Sequence, residues 1–551
     1  MRVSNALSVA AVLARAVTSD ARAIPETHVV HEKRDALRHT NIKRMESNAR
    51  LPMRVGLKQS SHAMDNAEEW LMEVSHPSSG KFGKHWTSDE IISAFQPSDE
   101  TIDAVANWLH SSGIAKDRLT LTGNKAWFAF DATVKEAEDL LHTEYYHKTE
   151  DGSRSLVHTE QYHLPKHLQE HVDYITPGVK GTFMDFSSAS KVKRGFGKPG
   201  WGKPFGWNPP KQHPAPWMPK NHSQLDTCDV AITQACLQAL YHFEPLNPHA
   251  KVSPNNSMGI FETGDFYSQE DLNSYFTNFT SYIKNGTGPR LDSVDGGQAP
   301  VPVADAGGES DLDFELAIPI IYPQTTTLYQ VDDLYYAEGG NGTTTGIFNT
   351  FFDAIDGSYC TYSAYGETGN DPKLDPTYPD PHGYKGPLQC GVYKPTNVIS
   401  ISYGEQEQDL PAYYQKRQCN EFLKLGLQGV SIFVASGDTG VGGIPGDGAP
   451  NGCLRNGTVF SPTQPNSCPY LTNVGATKVY PGKTVYEPES AVVDPAGHPY
   501  RSAFSSGGGF SNIFGVPDYQ KSAVSAFFEV RPSLASPFLM PCTDRSVSLE
   551  P

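Results

Sequence analysis

At 551 residues, 38% hydrophobic and 19% charged, the chain has the composition of ordinary globular protein and room for two or three domains. Its formal charge is −18, and residues 226–551 hold 36 Asp and Glu against 16 Lys and Arg, an acidic surface that argues against nucleic acid or an anionic membrane as partner. No apolar stretch is long enough to cross a bilayer.

The amino terminus, residues 1–23, has Arg2, an alanine-rich apolar segment from Ala6 to Ala14, and Ala21-Arg22-Ala23, which fits the small-x-small rule of a secretory signal peptide. Secretion to the extracellular space agrees with six Asn-x-Ser/Thr glycosylation sequons at Asn221, Asn255, Asn278, Asn285, Asn341 and Asn456. Eight cysteines all lie after residue 226, and in a secreted chain some should pair. Cys453 with Cys468, bracketing one loop, is the nearest candidate. No Cys-x-x-Cys or Cys/His spacing suggests zinc, and no metal ligands are assigned.

Residues 65–131 alternate helix and strand patterns. Asp99 to Leu109 has Ile102, Val105, Trp108 and Leu109 on one face with Ser98 as N-cap. Leu119 to Phe130 reads as strand, turn at Gly123-Asn124, strand, after which Asp131 is placed to cap a helix carrying Val134, Ala137, Leu140 and Leu141. This is a small α+β domain, placed at residues 24–185. Residues 186–225 contain seven Lys or Arg, no acid, and Trp201, Trp207 and Trp217 among many Gly and Pro, a basic linker with a dibasic Lys193-Arg194.

From Asp226 the texture becomes α/β. Short apolar strands, Met258 to Phe261, Thr327 to Val331, Val398 to Ser402 and Val430 to Ala435, alternate with helical patterns at Gln269 to Ile283 and Leu410 to Leu427. Strands separated by helices imply a mostly parallel sheet covered on both faces, with function carried on loops at the strands' carboxyl ends. Asp438, after the last of these strands, sits on such a loop. Between them, Gly307 to Ala317 reads as a helix with Leu312, Leu316 and Ile320 at helical spacing. Glu309 and Asp313, four residues apart, share one face and can share a proton. The plain alternative is a solvated acidic surface, since Asp305, Asp311 and Glu315 lie nearby.

Several segments, taken in order, carry a resemblance. Leu71-Met-Glu-Val-Ser-His76, Gly80-Lys-Phe-Gly83-Lys-His-Trp-Thr87 and Ser88-Asp-Glu90 in the first domain resemble the activation prodomain of the sedolisin family of serine-carboxyl peptidases. Cys228 to Tyr241, Gly259-Ile-Phe-Glu-Thr-Gly-Asp265, Glu309 with Asp313, Val398 to Gly404, Ala435-Ser-Gly-Asp438, Ser467 to Thr477 and Ser505-Ser-Gly-Gly-Gly-Phe-Ser511 follow in that family's order. The resemblance is fullest to its secreted fungal tripeptidyl peptidases. It implies a ferredoxin-like α+β prodomain acting as intramolecular inhibitor, then a subtilisin-like parallel-sheet α/β catalytic domain over residues 226–551, made as a zymogen and acting on polypeptides. It further implies that Glu309 is the general base, Asp313 orients it, Asp438 hydrogen-bonds the oxyanion, and Ser506, Gly507 and Gly508 line substrate subsites.

The chemistry is coherent. A carboxylate base works at low pH, where imidazole is already protonated, and an aspartic acid can donate to an oxyanion only when protonated. Only four of nineteen histidines follow residue 225, and the His382-Gly383 pair reads as a solvated loop. An aspartic peptidase would need a second copy of Asp438-Thr439-Gly440, and none occurs. A glycosidase pair would approach its substrate from opposite sides, which one helix face does not offer.

From about Arg531 the sequence departs from the family, whose members continue to a Gly-Thr-Ser-x-Ser nucleophile motif and a calcium site. The Ca2+ that the family implies therefore has no expected ligands here, the catalytic domain reads as incomplete, and the polypeptide as written is expected to be inactive, poorly soluble and secretion-defective. A truncated homologue acting only as a binding or decoy protein is the alternative. The fifteen histidines that precede residue 225, facing an acidic domain, suggest a pH-sensitive latch.

Overall fold

The computed structural model describes residues 24–33, 42–150, 154–179, 182–185, 224–331, 348–357, 384–387, 389–407, 412–443, 453–454, 459–494 and 504–530. The expected signal peptide, nearly all of the basic linker, His382 and the sequons at Asn221, Asn341 and Asn456 lie outside these residues.

The first domain is built on four antiparallel strands, β1 (Arg50–Leu57), β2 (Thr120–Leu121), β3 (Trp127–Thr133) and β4 (Val172–Thr176), in the order β4-β1-β3-β2. With helices after β1 and after β3, this is the ferredoxin-like βαββαβ arrangement. The helices after β1 are α1 (Ser61–Ser75), α2 (Ser88–Phe95) and α3 (Asp99–Ser111), and α4 (Val134–Leu141) follows β3. Ser98 caps α3 as its sequence predicts, its side chain accepting from the Thr101 amide. The cap of α4 is Thr133, not Asp131: the strand runs to Thr133, whose hydroxyl accepts from the Glu136 amide while Glu136 bonds back to the Thr133 amide. That Thr-x-x-Glu box satisfies two orphan donors, which an aspartate two residues earlier would not reach.

The second domain is organised on six parallel strands, β5 (Met258–Thr263), β6 (Arg290–Val294), β7 (Thr326–Val331), β8 (Val398–Ile401), β9 (Ser431–Ala435) and β10 (Thr472–Val474), in the order β6-β7-β5-β8-β9-β10. Alternate residues serve opposite layers. Ile260 and Leu328 pack with Leu272, Phe276, Phe314 and Ile318 from α5 (Gln269–Phe279) and α6 (Gly308–Ile321). Phe261 and Tyr329 point the other way, onto Phe348, Phe351 and Phe352 at α7 (Asn349–Ile355) and Phe422 and Leu425 of α8 (Ala412–Leu427). Burial of each such ring contributes about 2–3 kcal/mol, which explains why these strands read as unbroken apolar runs.

Three expectations change. The helix from Gln269 ends at Phe279, where Thr280 leaves helical geometry. In α6 the core face is Ser310, Phe314 and Ile318, whereas Leu312 and Ile320 are exposed. That helix carries apolar residues on both sides, so spacing alone picks the wrong stripe. Cys468 is bonded to Cys419, 49 residues away in sequence, and not to Cys453, which is disulfide-bonded elsewhere. Helix α8 brings the Cys419 Cα within 5.5 Å of that of Cys468, a proximity set by packing across the sheet and invisible in loop lengths. A second bridge joins Cys228 and Cys236.

Candidate active site

Because the six strands are parallel, their carboxyl ends share one edge, and the acidic groups collect there. Helix α6 begins at this edge. Its N-cap position, Gly307, supplies no capping side chain; Asp265, just after β5, does so instead. The Asp265 carboxylate accepts from the amides of Phe266 at 2.8 Å and Glu309 at 3.3 Å, and from Ser310. A carboxylate placed there answers the unpaired amides and the positive end of the helix dipole. Gly307 leaves room for it, since a Cβ there would force that carboxylate to move.

The first two turns of α6 then present Glu309 and Asp313. The Ser402 hydroxyl, following β8, donates to Asp313 at 3.0 Å to Oδ2 and 3.3 Å to Oδ1, and also favours the charged form of Glu309. Below them lies Glu262, fully buried in β5, whose Oε2 accepts from the Tyr403 hydroxyl at 2.6 Å. Its Oε1 has no geometric hydrogen-bond partner among the described residues, and the Glu262 carboxyl favours the charged form of Asp313 beside it. Burial first, and then the Asp313 charge, push the Glu262 carboxyl far above the usual range, so it is a protonated donor. Burial also raises Glu309 and Asp313; for Glu309 the neighbouring Asp313, Asp438 and Asp265 charges add to it. The pair therefore titrates as a unit that keeps a proton well above the ordinary carboxylate range.

Asp438 lies on the loop after β9, and burial pushes its pKa up to about 7. The glycine-rich run holds this loop: Ser505 N donates to Asp438 O at 2.9 Å, Gly440 N to Ser505 O at 3.0 Å, and Gly507 N to Gly437 O at 2.8 Å. Gly437 and Gly440 have φ of +98° and +68°, conformations open to glycine at little cost.

The structure thus brings Glu309, Asp313 and Asp438 to one edge and sets Ser506, Gly507 and Gly508 beside Asp438. The Ser506 side chain is committed inward, its Oγ accepting from Ala476 N at 2.9 Å and lying 3.3 Å from Ser436 Oγ. Any contact it makes with a ligand would be through its backbone. At Gly507 a Cβ would collide with the Ser436 carbonyl, whereas at Gly508 it would meet Val441 only in ordinary contact. Asn255, Asn278 and Asn285 are exposed. No group of three or more His, Cys, Asp or Glu side chains among the described residues could hold a cation, so no calcium site is assigned to them.

Sequence reasoning missed Glu262, Asp265, Ser402 and Tyr403. A signal for the first existed, a carboxylate continuing the apolar run Met258 to Phe261. Its partners follow only from register: Phe261 pairs with Ile401, which puts Ser402 and Tyr403 beside Glu262.

Comparison with known proteins agrees with this picture. Residues 38–180 match the activation domain of pro-kumamolisin. Aorsin from Aspergillus oryzae is 52% identical over 509 residues, 91% of this chain and 76% of aorsin. The tripeptidyl-peptidase sed1 from Aspergillus fumigatus is 45% identical over 537 residues, 96% of this chain and 78% of that protein. Among solved structures, Pseudomonas sedolisin, a serine-carboxyl proteinase complexed with pseudo-iodotyrostatin, covers 56% of this chain and 68% of its own at 18% identity and a TM-score of 0.35. With relatives of such identity along nearly its whole length, the chain belongs to the sedolisin family of serine-carboxyl peptidases.

Proposed function

We propose that the protein is a secreted, acid-acting peptidase of tripeptidyl-peptidase type, made as a zymogen and removing tripeptides from polypeptide amino termini. The domain plan we infer is a signal peptide over residues 1–23, a prodomain over 24–185, a linker over 186–225 and the catalytic domain from 226. The observation that carries the reading is the convergence of Glu309, Asp313 and Asp438 at one sheet edge, with burial keeping Asp438 protonated as an oxyanion donor. Glu309 takes the proton of an attacking hydroxyl, Asp313 orients Glu309 and shares the positive charge of the proton, and protonated Asp438 donates to the oxyanion. Glu262 and Ser402 hold Asp313 in place from below and from the side. No residue of the chain is assigned as nucleophile.

The test is hydrolysis of a tripeptidyl reporter after acid treatment, compared with Glu309→Ala. Acid-dependent hydrolysis that disappears in the variant supports the reading and locates a nucleophilic hydroxyl within these 551 residues. Peptide binding at acid pH without hydrolysis favours the binding-protein alternative.

A further inference from the structure

Helix α8 carries the principal contact between the two domains, and the residues it turns toward the prodomain are of a distinctive kind. Arg417 lies with its guanidinium carbon 4.7 Å from the Trp127 ring centre and 5.4 Å from that of Tyr174, two aromatics that are nearly fully buried and meet edge to face. Its Nη1 donates to the Tyr174 hydroxyl at 2.8 Å and stands 3.8 Å from Asp173. Two turns on, Leu423 and Leu427 join Ala63, Ala67, Val74, Ile91 and Phe95 in one apolar cluster. The helix closes on Gly429 (φ +86°) with its own Val430 N–Leu425 O and Gly429 N–Gly426 O bonds, and the prodomain serves the remaining Leu427 carbonyl, which accepts from the Trp86 amide at 2.8 Å. Gly426 allows the close approach, because a Cβ there would come within 2.9 Å of Leu71 Cδ1.

We propose that Arg417 is the anchor by which the catalytic domain recognises its own prodomain, and that α8 is a docking surface that retains the prodomain as a bound subunit after the connection through residues 186–223 is cut. A planar guanidinium set against a buried tryptophan ring and hydrogen-bonded to a buried tyrosine, its own side chain 20% exposed, is an arrangement in which one side chain dominates binding, while the apolar cluster further along the helix excludes solvent. The surface is separate from the catalytic carboxyls. In a strand-helix-strand crossover α8 runs back from the carboxyl edge, so the contacts from Arg417 to Leu427 lead away from Glu309, Asp313 and Asp438. The inference does not depend on the peptidase reading, because its test measures association only.

The experiment uses the full chain with one engineered cleavage site within residues 186–223, cut after folding, with co-elution and dissociation of the two pieces measured at neutral pH. The parent pieces should stay together. Arg417→Ala should weaken them by at least about tenfold, Arg417→Lys should lose most of the same affinity because an ammonium cannot stack, and Tyr174→Phe should lose a few-fold. Combined, Arg417→Ala and Tyr174→Phe should cost little more than Arg417→Ala alone. Gly426→Leu, which leaves Arg417 in place and blocks Leu71, should also release the prodomain. Parent pieces that separate on cutting, an Arg417→Ala affinity equal to the parent's, or fully additive losses would each overturn the proposal. Tyr174→Phe removes a single oxygen on the prodomain side, so it tests the anchor even where Arg417→Ala impairs folding of its own domain.

Discussion

A carboxyl inside a parallel strand is costly unless it is neutral and bonded, and Glu262 meets both conditions through its raised pKa and the Tyr403 hydroxyl. Glu262→Ala would leave that buried hydroxyl without an acceptor and Asp313 with the Ser402 hydroxyl in place of two supports. The expected loss is about 2–3 kcal/mol in denaturant unfolding at acid pH, with Glu262→Gln, which keeps both bonds, losing less than half as much. Asp438 behaves differently. Its pKa near 7 comes from burial alone, so charging it costs stability between its unfolded pKa of about 4 and its folded one. Asp438→Asn should therefore raise the melting temperature at pH 7.5 and leave it nearly unchanged at pH 4, and an equal effect at both would show that the aspartate does not titrate in this window.

At the scale of elements, the site helix α6 and the docking helix α8 are held in contrasting ways. Helix α6 is fixed at its start by Asp265 over Gly307, where even a methyl group meets the carboxylate. Gly307→Ala should cost about 1–3 kcal/mol, because displacing Asp265 uncaps the turn that carries Glu309. Helix α8 is fixed from outside, and carries under the prodomain a Glu421–Lys424 pair at 2.9 Å with side chains only 2% and 1% exposed. Lys424 also lies over the Phe95 ring. Lys424→Ala would strand a buried carboxylate whose pKa burial already raises, at a cost of about 3–5 kcal/mol at neutral pH that shrinks as acid neutralises Glu421. Chemical denaturation at pH 7 and pH 4 measures that difference.

For the whole molecule the sign of the pH dependence follows from which carboxyls are shifted and in which direction. Glu262, Asp265, Glu309, Asp311, Asp313, Glu315 and Asp438 are all raised, chiefly by burial. The folded chain then binds more protons than the unfolded chain, so this contribution is complete below about pH 4 and is lost as pH climbs towards the folded values. Glu136 runs the other way: Arg118 chiefly holds it at about 2, so its contribution is present above the unfolded carboxylate range and is lost as pH falls toward 2. Raised groups outnumber it, and a melting temperature that is higher at pH 4.5 than at pH 7.5 is expected; calorimetry across that range decides. The prodomain contact itself combines aliphatic and aromatic packing with the cations Arg417 and Lys424, and of the early histidines expected to form a latch, His85 lies against Gly429 at its edge.

The sequence by itself determined the two-domain plan, the alternating strands and helices of the second domain and the helical Glu309–Asp313 pair, because apolar period, turn residues and i,i+4 spacing are local properties that survive in one dimension. It also pointed to the loop of Asp438, since a polar tripeptide directly after an apolar strand has few other places to go. The core face of α6, the Cys419–Cys468 bond, the inward turn of Ser506 and the Glu262–Tyr403 support were decided only by tertiary structure. Each depends on which strand lies beside which, and the order β6-β7-β5-β8-β9-β10 joins segments more than a hundred residues apart whose register no local pattern encodes. The docking of the prodomain on α8 belongs to the same class: Arg417 in sequence is one basic residue among many, and only the fold sets it against Trp127 and Tyr174.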